Sequence, residues 1–381
     1  MTTAATADTI GFRHRWGIKW TATATVAVAA LALLASVTET SAEPRGQRQP
    51  VPFEEDVRAY DQLLDRYRSG AIEGAIADLR KLLIANNGQR QITLWIDGAR
   101  AANRRTDLQC VLLLITEAMM AIWNTDEPFP FGRLAPYMPS FQRLHADLKE
   151  MDARSPFLKT WYLLWESFRH VHVNHPIPSE LDFMPAALAA FPSDSRVLLA
   201  AGSRYELAWW MSLENAQRDL EREPVGVTKL LTTARDYLRR SLAADSGEGE
   251  ARLRLAHVLL ELNELPAVPS ILSSYDWTPE GPPFEYLARL FEGDLHERRG
   301  DRAVATAAYD RAIALVDAPQ SALVAKAHLA HLDGRRAEAA QTVATVLSGN
   351  VKGVDPWWPF VRGQAWRFAA YRNAAHAQVF K

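Results

Sequence analysis

The chain has 381 residues, with 43 Lys and Arg against 45 Asp and Glu, a formal net charge of −2. That balance lacks the basic excess of a general nucleic-acid binder, and a single cysteine, Cys110, excludes an intramolecular disulfide. About half of the residues are hydrophobic, 48%, and the length suits either two domains or one long solenoid.

Residues 13–20, Arg-His-Arg-Trp-Gly-Ile-Lys-Trp, are basic, and residues 21–37 are apolar or small. Thr40-Ser41-Ala42 then supplies small residues before Glu43-Pro44. This order predicts a secretory signal peptide over 1–42 and an exported, periplasmic or cell-envelope protein. The alternative is an uncleaved anchor over residues 16–37, although its apolar run, 21–37, is shorter than the ~20 residues that span a bilayer well. No cysteine follows the apolar run and Arg13 and Arg15 are separated by His14, so neither a lipoprotein anchor nor a twin-arginine signal is indicated. Residues 43–53, with Pro44, Pro50 and Pro52, read as a linker.

From Glu54 onward apolar residues recur at helical spacing: Tyr60, Leu63, Leu64 and Tyr67, then Ala75 and Leu79 after a break at Ser69-Gly70. Residues 92–102 and 108–123 suit a second helix pair, and Cys110 sits among apolar neighbours that favour a buried thiol. Residues 124–140 carry four prolines and read as a loop. Helices are expected again at 144–151, 157–171, 186–190 and 196–211, the last with Ser195 as its cap. No period-two run of useful length appears, so the chain reads as all-α, with divergent helical repeats over 54–225.

The regular part follows, over 226–350. Gly293, Gly300 and Ala305 recur as Ala327, Gly334 and Ala339, each 34 residues later. Small residues at 293 and 305 allow two helices to cross closely, with Tyr309 and Ala312 as the large and small pair that follows. Gly300 can take a positive φ at low cost and end the first helix. Asp301 suits a cap and Pro319 closes the unit. Upstream, Ala256 and Asn263 take the Gly293 and Gly300 positions, with Trp277–Pro283 as an inserted loop. This pattern resembles the tetratricopeptide repeat, a helix–turn–helix unit of that length. It departs from the family at Arg289, Glu292 and His296, and in the second copy Val343 and Val346 replace Tyr309 and Ala312. The resemblance implies an α-solenoid of stacked antiparallel helix pairs in a right-handed superhelix, holding a protein or peptide partner in a concave groove. It implies no cofactor.

In that family the groove is lined by the residue after the small one in each first helix, here His257, Asp294 and His328. One turn on come Glu297 and His331, with Glu261 and Arg298 beside them. Equivalent positions of stacked repeats project the same way, so these residues are expected on one concave surface suited to a polar or charged partner, or to be a solvated face. The aromatic end, residues 351–381 with Trp357, Trp358, Phe360 and Trp366, is expected to cap the last repeat, or else to form an aromatic platform for glycan or peptide.

Phosphate-loop, zinc-protease, nucleophile-elbow and C-x-x-C motifs are absent, and the chain is expected not to be an enzyme. Glu166-Ser167 resembles the Glu-Ser pair of lytic transglycosylases, which leaves an envelope glycan-processing enzyme as the alternative, against a surface glutamate on a helix. His170, His172 and His175 could hold a metal only on a strand; at a helix end the first two point roughly 200° apart at ~100° per residue.

Overall fold

In the computed structural model the described residues are 53–85, 87–123, 131–171, 181–218, 226–348 and 353–380. The expected signal segment, most of the linker, His172, His175 and residues 124–130 lie outside them. Among the described residues every regular element is helical. No described helix is long and apolar enough to cross a membrane.

The first half holds α1 (Phe53–Arg68), α2 (Ile72–Ile84), α3 (Gly88–Ala101), α4 (Arg105–Trp123), the short α5 (Phe131–Leu134), α6 (Met138–Asp152), α7 (Pro156–Val171), α8 (Met184–Ala190) and α9 (Ser195–Arg218). The second holds α10 (Val227–Ala244), α11 (Gly249–Glu261), α12 (Val268–Leu272), α13 (Pro282–Arg298), α14 (Arg302–Ile313), α15 (Gln320–Leu332) and α16 (Arg336–Leu347). Helices adjacent in sequence pack in antiparallel pairs, α1 on α2, α9 on α10, α13 on α14 and α15 on α16, with α11 joining α10 to α13 and α14 packing on α15. The fold is an α-solenoid.

The repeat signals act as expected at the turns. Gly300 and Gly334 have φ of 84° and 80°, and Asn263 takes the same left-handed turn at 59°. At Gly293 the reason is contact: a Cβ there would lie 2.8 Å from Tyr309 Cζ and closer still to two other ring carbons. At the equivalent positions the second copy has Ala327 and Val343, so the methyl comes with a residue smaller than Tyr309.

Three local expectations are corrected. Helix α6 begins at Met138, inside the presumed loop, because Pro139 falls in its first turn, where no amide donor is needed. The cap of α9 is Asp194, whose Oδ1 accepts from the amides of Arg196 and Val197 at 3.1 and 3.2 Å, and not Ser195. Asp301 precedes α14 but makes no side-chain cap bond; its carboxylate lies 3.7 Å from His296 Nδ1 instead.

The core is in two main parts. One spans α1–α9 and holds Trp95, Trp161, Trp165 and Phe141; the other spans α9–α15 and holds Leu253, Leu259, Tyr286 and Phe291. The last pair, α15–α16, shares a separate core of three alanines, Ala327, Ala330 and Ala339.

The aromatic end meets α15 but leaves Val343 and Leu347 of α16 exposed. After Asp355 the chain forms α17 (Trp357–Val361), a 3-10 turn (Gly363–Arg367) and α18 (Phe368–Val379). Trp357, Phe360 and Val361 belong to the second core, and Tyr371, Ala375 and Val379 to the first. The tail therefore ties the two halves together, with α18 against α7 and α4. Helix α16 buries only Ala339.

Candidate binding surface

The tail enters along the face of α11 and α13 that carries the predicted row. Asp355, 1% exposed, anchors it: its carboxylate accepts from the Ser321 amide at the start of α15, from Tyr286 OH at 3.1 Å and from the Trp357 amide at 2.8 Å. One carboxylate thus starts α17 and fixes it to α13 and α15.

Trp357 and Phe360 then cover His257. The imidazole lies between Phe291, stacked at 5.5 Å, and the edges of Trp209, Trp357 and Phe360 at 5.9, 5.2 and 5.9 Å. Its Nδ1 donates to Glu206 Oε1 at 2.6 Å. At 6% exposure, His257 is a packed histidine and not part of an open row. Position on the helix placed it on the right face, but a segment a hundred residues later covers that face.

Arg254, one turn before His257, is 1% exposed and satisfied on every side. It donates to Glu250 Oε1 at 2.8 Å, Glu206 Oε2 at 2.6 Å, and the carbonyls of Phe360 and Gly363 at 3.0 and 2.9 Å. Glu250 also accepts from Trp366 Nε1 at 3.1 Å and from Arg367, and Arg367 reaches Glu248 at 2.6 Å. Burial works against the charge on Glu206, but the Arg254 guanidinium and the His257 bond outweigh it and hold its carboxyl below the usual range. Sequence reasoning passed over Arg254. Its signal was a lone cation in the apolar run Leu253-Arg254-Leu255-Ala256, which once buried must find carboxylates and carbonyls.

A second clamp holds α18. Glu117 of α4, 4% exposed, accepts from Tyr67 OH at 3.0 Å, Arg372 Nε at 2.6 Å and His376 Nε2 at 2.7 Å. Burial opposes ionisation of Glu117, and the bonds from His376 and Arg372 win, lowering its pKa.

Further along the same face the surface stays open. Phe291, Asp294 and Arg298 lie at helical spacing on α13, so Asp294 and Arg298 continue the face one and two turns beyond the covered aromatic. Arg298 Nε donates to both oxygens of Asp294 at 3.0 and 3.1 Å, and its other nitrogens reach Glu261 at 2.7 Å and the Leu260 carbonyl at 2.6 Å. These side chains are 16–26% exposed. Burial raises the Asp294 carboxyl above its ordinary value despite Arg298. Beside this triad Glu297 accepts from Tyr309 OH at 3.0 Å and faces His328 Nε2 at 3.7 Å. His328 is one-third exposed and His331 is exposed. The structure thus gathers Glu261, Asp294 and Arg298 into one cluster and Glu297 and His328 into another, while buried His257 bonds Glu206 instead.

Glu166 is not a surface residue. It is 2% exposed, 3.4 Å from Arg169 and 4.0 Å from Arg204, and burial raises its pKa. A carboxyl so enclosed has no open side for a glycan strand. The thiol of Cys110 is buried and pushed up to about 12 by burial. Among the described residues no group of three or more His, Cys, Asp or Glu could hold a metal.

These features define a helical-repeat protein with an inner face filled at one end by its own tail. No family model matches the chain, and no curated protein does. Among solved structures, the crystal structure of yeast Tom70 aligns with 85% of this chain and 82% of its own, at 10% identity and a TM-score of 0.28. That likeness is loose, and no residue role passes across it.

Proposed function

We propose that this chain is a non-enzymatic exported scaffold that holds a protein or peptide partner along the open part of the α11–α13–α15 face. The observation supporting this is the division of that face. Its apolar part is filled by Trp357 and Phe360, while Glu261, Asp294, Arg298 and His328 remain partly exposed in the adjoining turns, beside a nearly buried Glu297. The partly exposed carboxylates there, Glu261 and Asp294, outnumber the one guanidinium they share, Arg298, so the open part is acidic and suits a segment bearing Lys or Arg. Export rests on the basic, apolar and small-residue order of residues 13–42.

A photo-crosslinking residue at position 328 tests this in envelope extract. Adducts formed from position 328, absent from an exposed site on α10 such as Asp236, and lost in Glu261→Lys are the expected result. Equal crosslinking from both sites, or adducts unchanged by Glu261→Lys, would overturn it. N-terminal sequencing of the envelope fraction checks export: a chain starting near residue 43 is expected, and an intact N-terminus would replace export with an anchor.

A further inference from the structure

Helices α14 and α16 are equivalent second helices, yet only α14 is covered on both sides. It lies between α13 and α15, which leaves Tyr309 and Ala312 buried and Ile313 half-buried. The matching positions on α16 are Val343, Val346 and Leu347. Val343 is 37% and Leu347 71% exposed, and Ala340 and Ala344 are exposed beside them. Residues 340, 343, 344 and 347 fall at the i, i+3, i+4, i+7 spacing of one helix stripe. At positions 343 and 347 the repeat's own packing says what is received: another helix, since their α14 equivalents Tyr309 and Ile313 are buried and half-buried where α14 meets α15.

The ends of α16 are unequal. Arg335 and Arg336 stand at its N-terminal end, where a cation opposes the helix dipole, and its last turn carries no basic residue. Arg335 is held by Glu338, and Arg336 is exposed.

We propose that α16 is a self-association surface on which the α16 of a second copy packs antiparallel about a two-fold axis. In that register Leu347 of one copy lies over Ala340 of the other, and Val343 beside Ala344, so large meets small at each crossing. Arg336 of each copy approaches the C-terminal carbonyls of the other's helix, whose last turn carries no basic residue. An antiparallel pair of identical helices satisfies both ends at once, which an isologous interface requires. It also extends a terminal pair whose own core is three alanines. With one 12-residue helix per copy at its centre, the interface belongs to the small, weak class, below the ~1,200 Å² of stable complexes.

Sedimentation equilibrium of the purified chain up to about 100 μM, above the Kd of a micromolar interface, tests this. The expected mass rises from 42.6 kDa toward twice that value, and Leu347→Glu holds it at the monomer with unchanged helicity. Ala344→Cys should form a disulfide-linked dimer on oxidation, because the native Cys110 is buried. Val304→Cys, exposed on α14, should not. A wild type that stays monomeric, a mass climbing past the dimer, a dimer surviving Leu347→Glu, or no crosslink through Ala344→Cys overturns the proposal.

Discussion

Arg254 on α11 donates from Nη2 to the carbonyl of Phe360, 106 positions later, at 3.0 Å. The same guanidinium binds two buried carboxylates, so the tail's backbone is fixed to the most enclosed charge network among the described residues. A tail held this way is part of the fold and not a cap laid on its end.

Replacing Arg254 should therefore cost more than a surface charge. Arg254→Met leaves Glu206 and Glu250 without their shared cation, and breaking a buried pair costs about 3–5 kcal/mol. Arg254→Lys should lose most of that too, because a point ammonium cannot serve two carboxylates and two carbonyls. Urea unfolding followed by circular dichroism checks both; an unchanged midpoint for Arg254→Lys contradicts the network's role.

The anchor at Asp355 gives a second prediction. Asp355→Ala strands the Ser321 amide and the Tyr286 hydroxyl in a dry site, at about 1–3 kcal/mol for each unmet group. Deleting residues 355–381 should go further and destabilise both halves, since the tail supplies residues to both cores. Thermal melts and limited proteolysis read this out. A truncation whose N-terminal half keeps its protease resistance would mean that α18 adds little to α4 and α7.

The helix crossing is tested at Gly293. A methyl there meets the Tyr309 ring, so Gly293→Ala should cost about 1–3 kcal/mol and Gly293→Leu at least as much. Tyr309→Val, which copies the Ala327–Val343 arrangement of the next repeat, should recover part of the Gly293→Ala loss in a double-mutant cycle. Additive losses would place the strain elsewhere.

His145 carries a pH prediction. It stacks on Trp161 at 5.4 Å, bonds Tyr162 OH at 2.9 Å, and is brought down to about 4 by burial, with Lys149 adding to the effect. The unfolded imidazole takes its proton near pH ~6.5, the folded one only near 4. Between those values the unfolded chain binds the extra proton, so stability falls as pH drops from about 6.5 to about 4 and is unaffected by this group above that window. The full loss is about 3 kcal/mol at most. His145→Gln should show a smaller drop in urea midpoint between pH 7 and pH 5 than wild type; parallel drops would remove His145 as the cause.

Much of the helix order was legible because it depends on local rules. Tyr60, Leu63, Leu64 and Tyr67 mark one face of α1 by spacing alone, and Gly300 and Gly334 mark turns because few other residues take a positive φ cheaply. Proline was harder to read. Pro139 stops a helix at most positions but starts one in the first turn, and only the neighbouring packing distinguishes the two. The site was half legible: periodicity put Asp294, Arg298 and Glu261 together correctly, yet it put His257 in the same open row.

The sequence by itself determined the all-helical chain, the 34-residue pair and the close crossing at Gly293, since each follows from contacts within a few turns. Only the tertiary structure decided where the aromatic tail goes. Apolar burial has no direction, so Trp357 and Phe360 would have suited the open face of α16 as well as the face of α11. Hydrogen bonding chose between them. Arg254 and Ser321 hold donors that a buried position cannot leave unmet, and the carbonyls of Phe360 and Gly363 and the carboxylate of Asp355 meet them. That choice buried His257, left Asp294 and His328 partly exposed, and left one stripe of α16 uncovered.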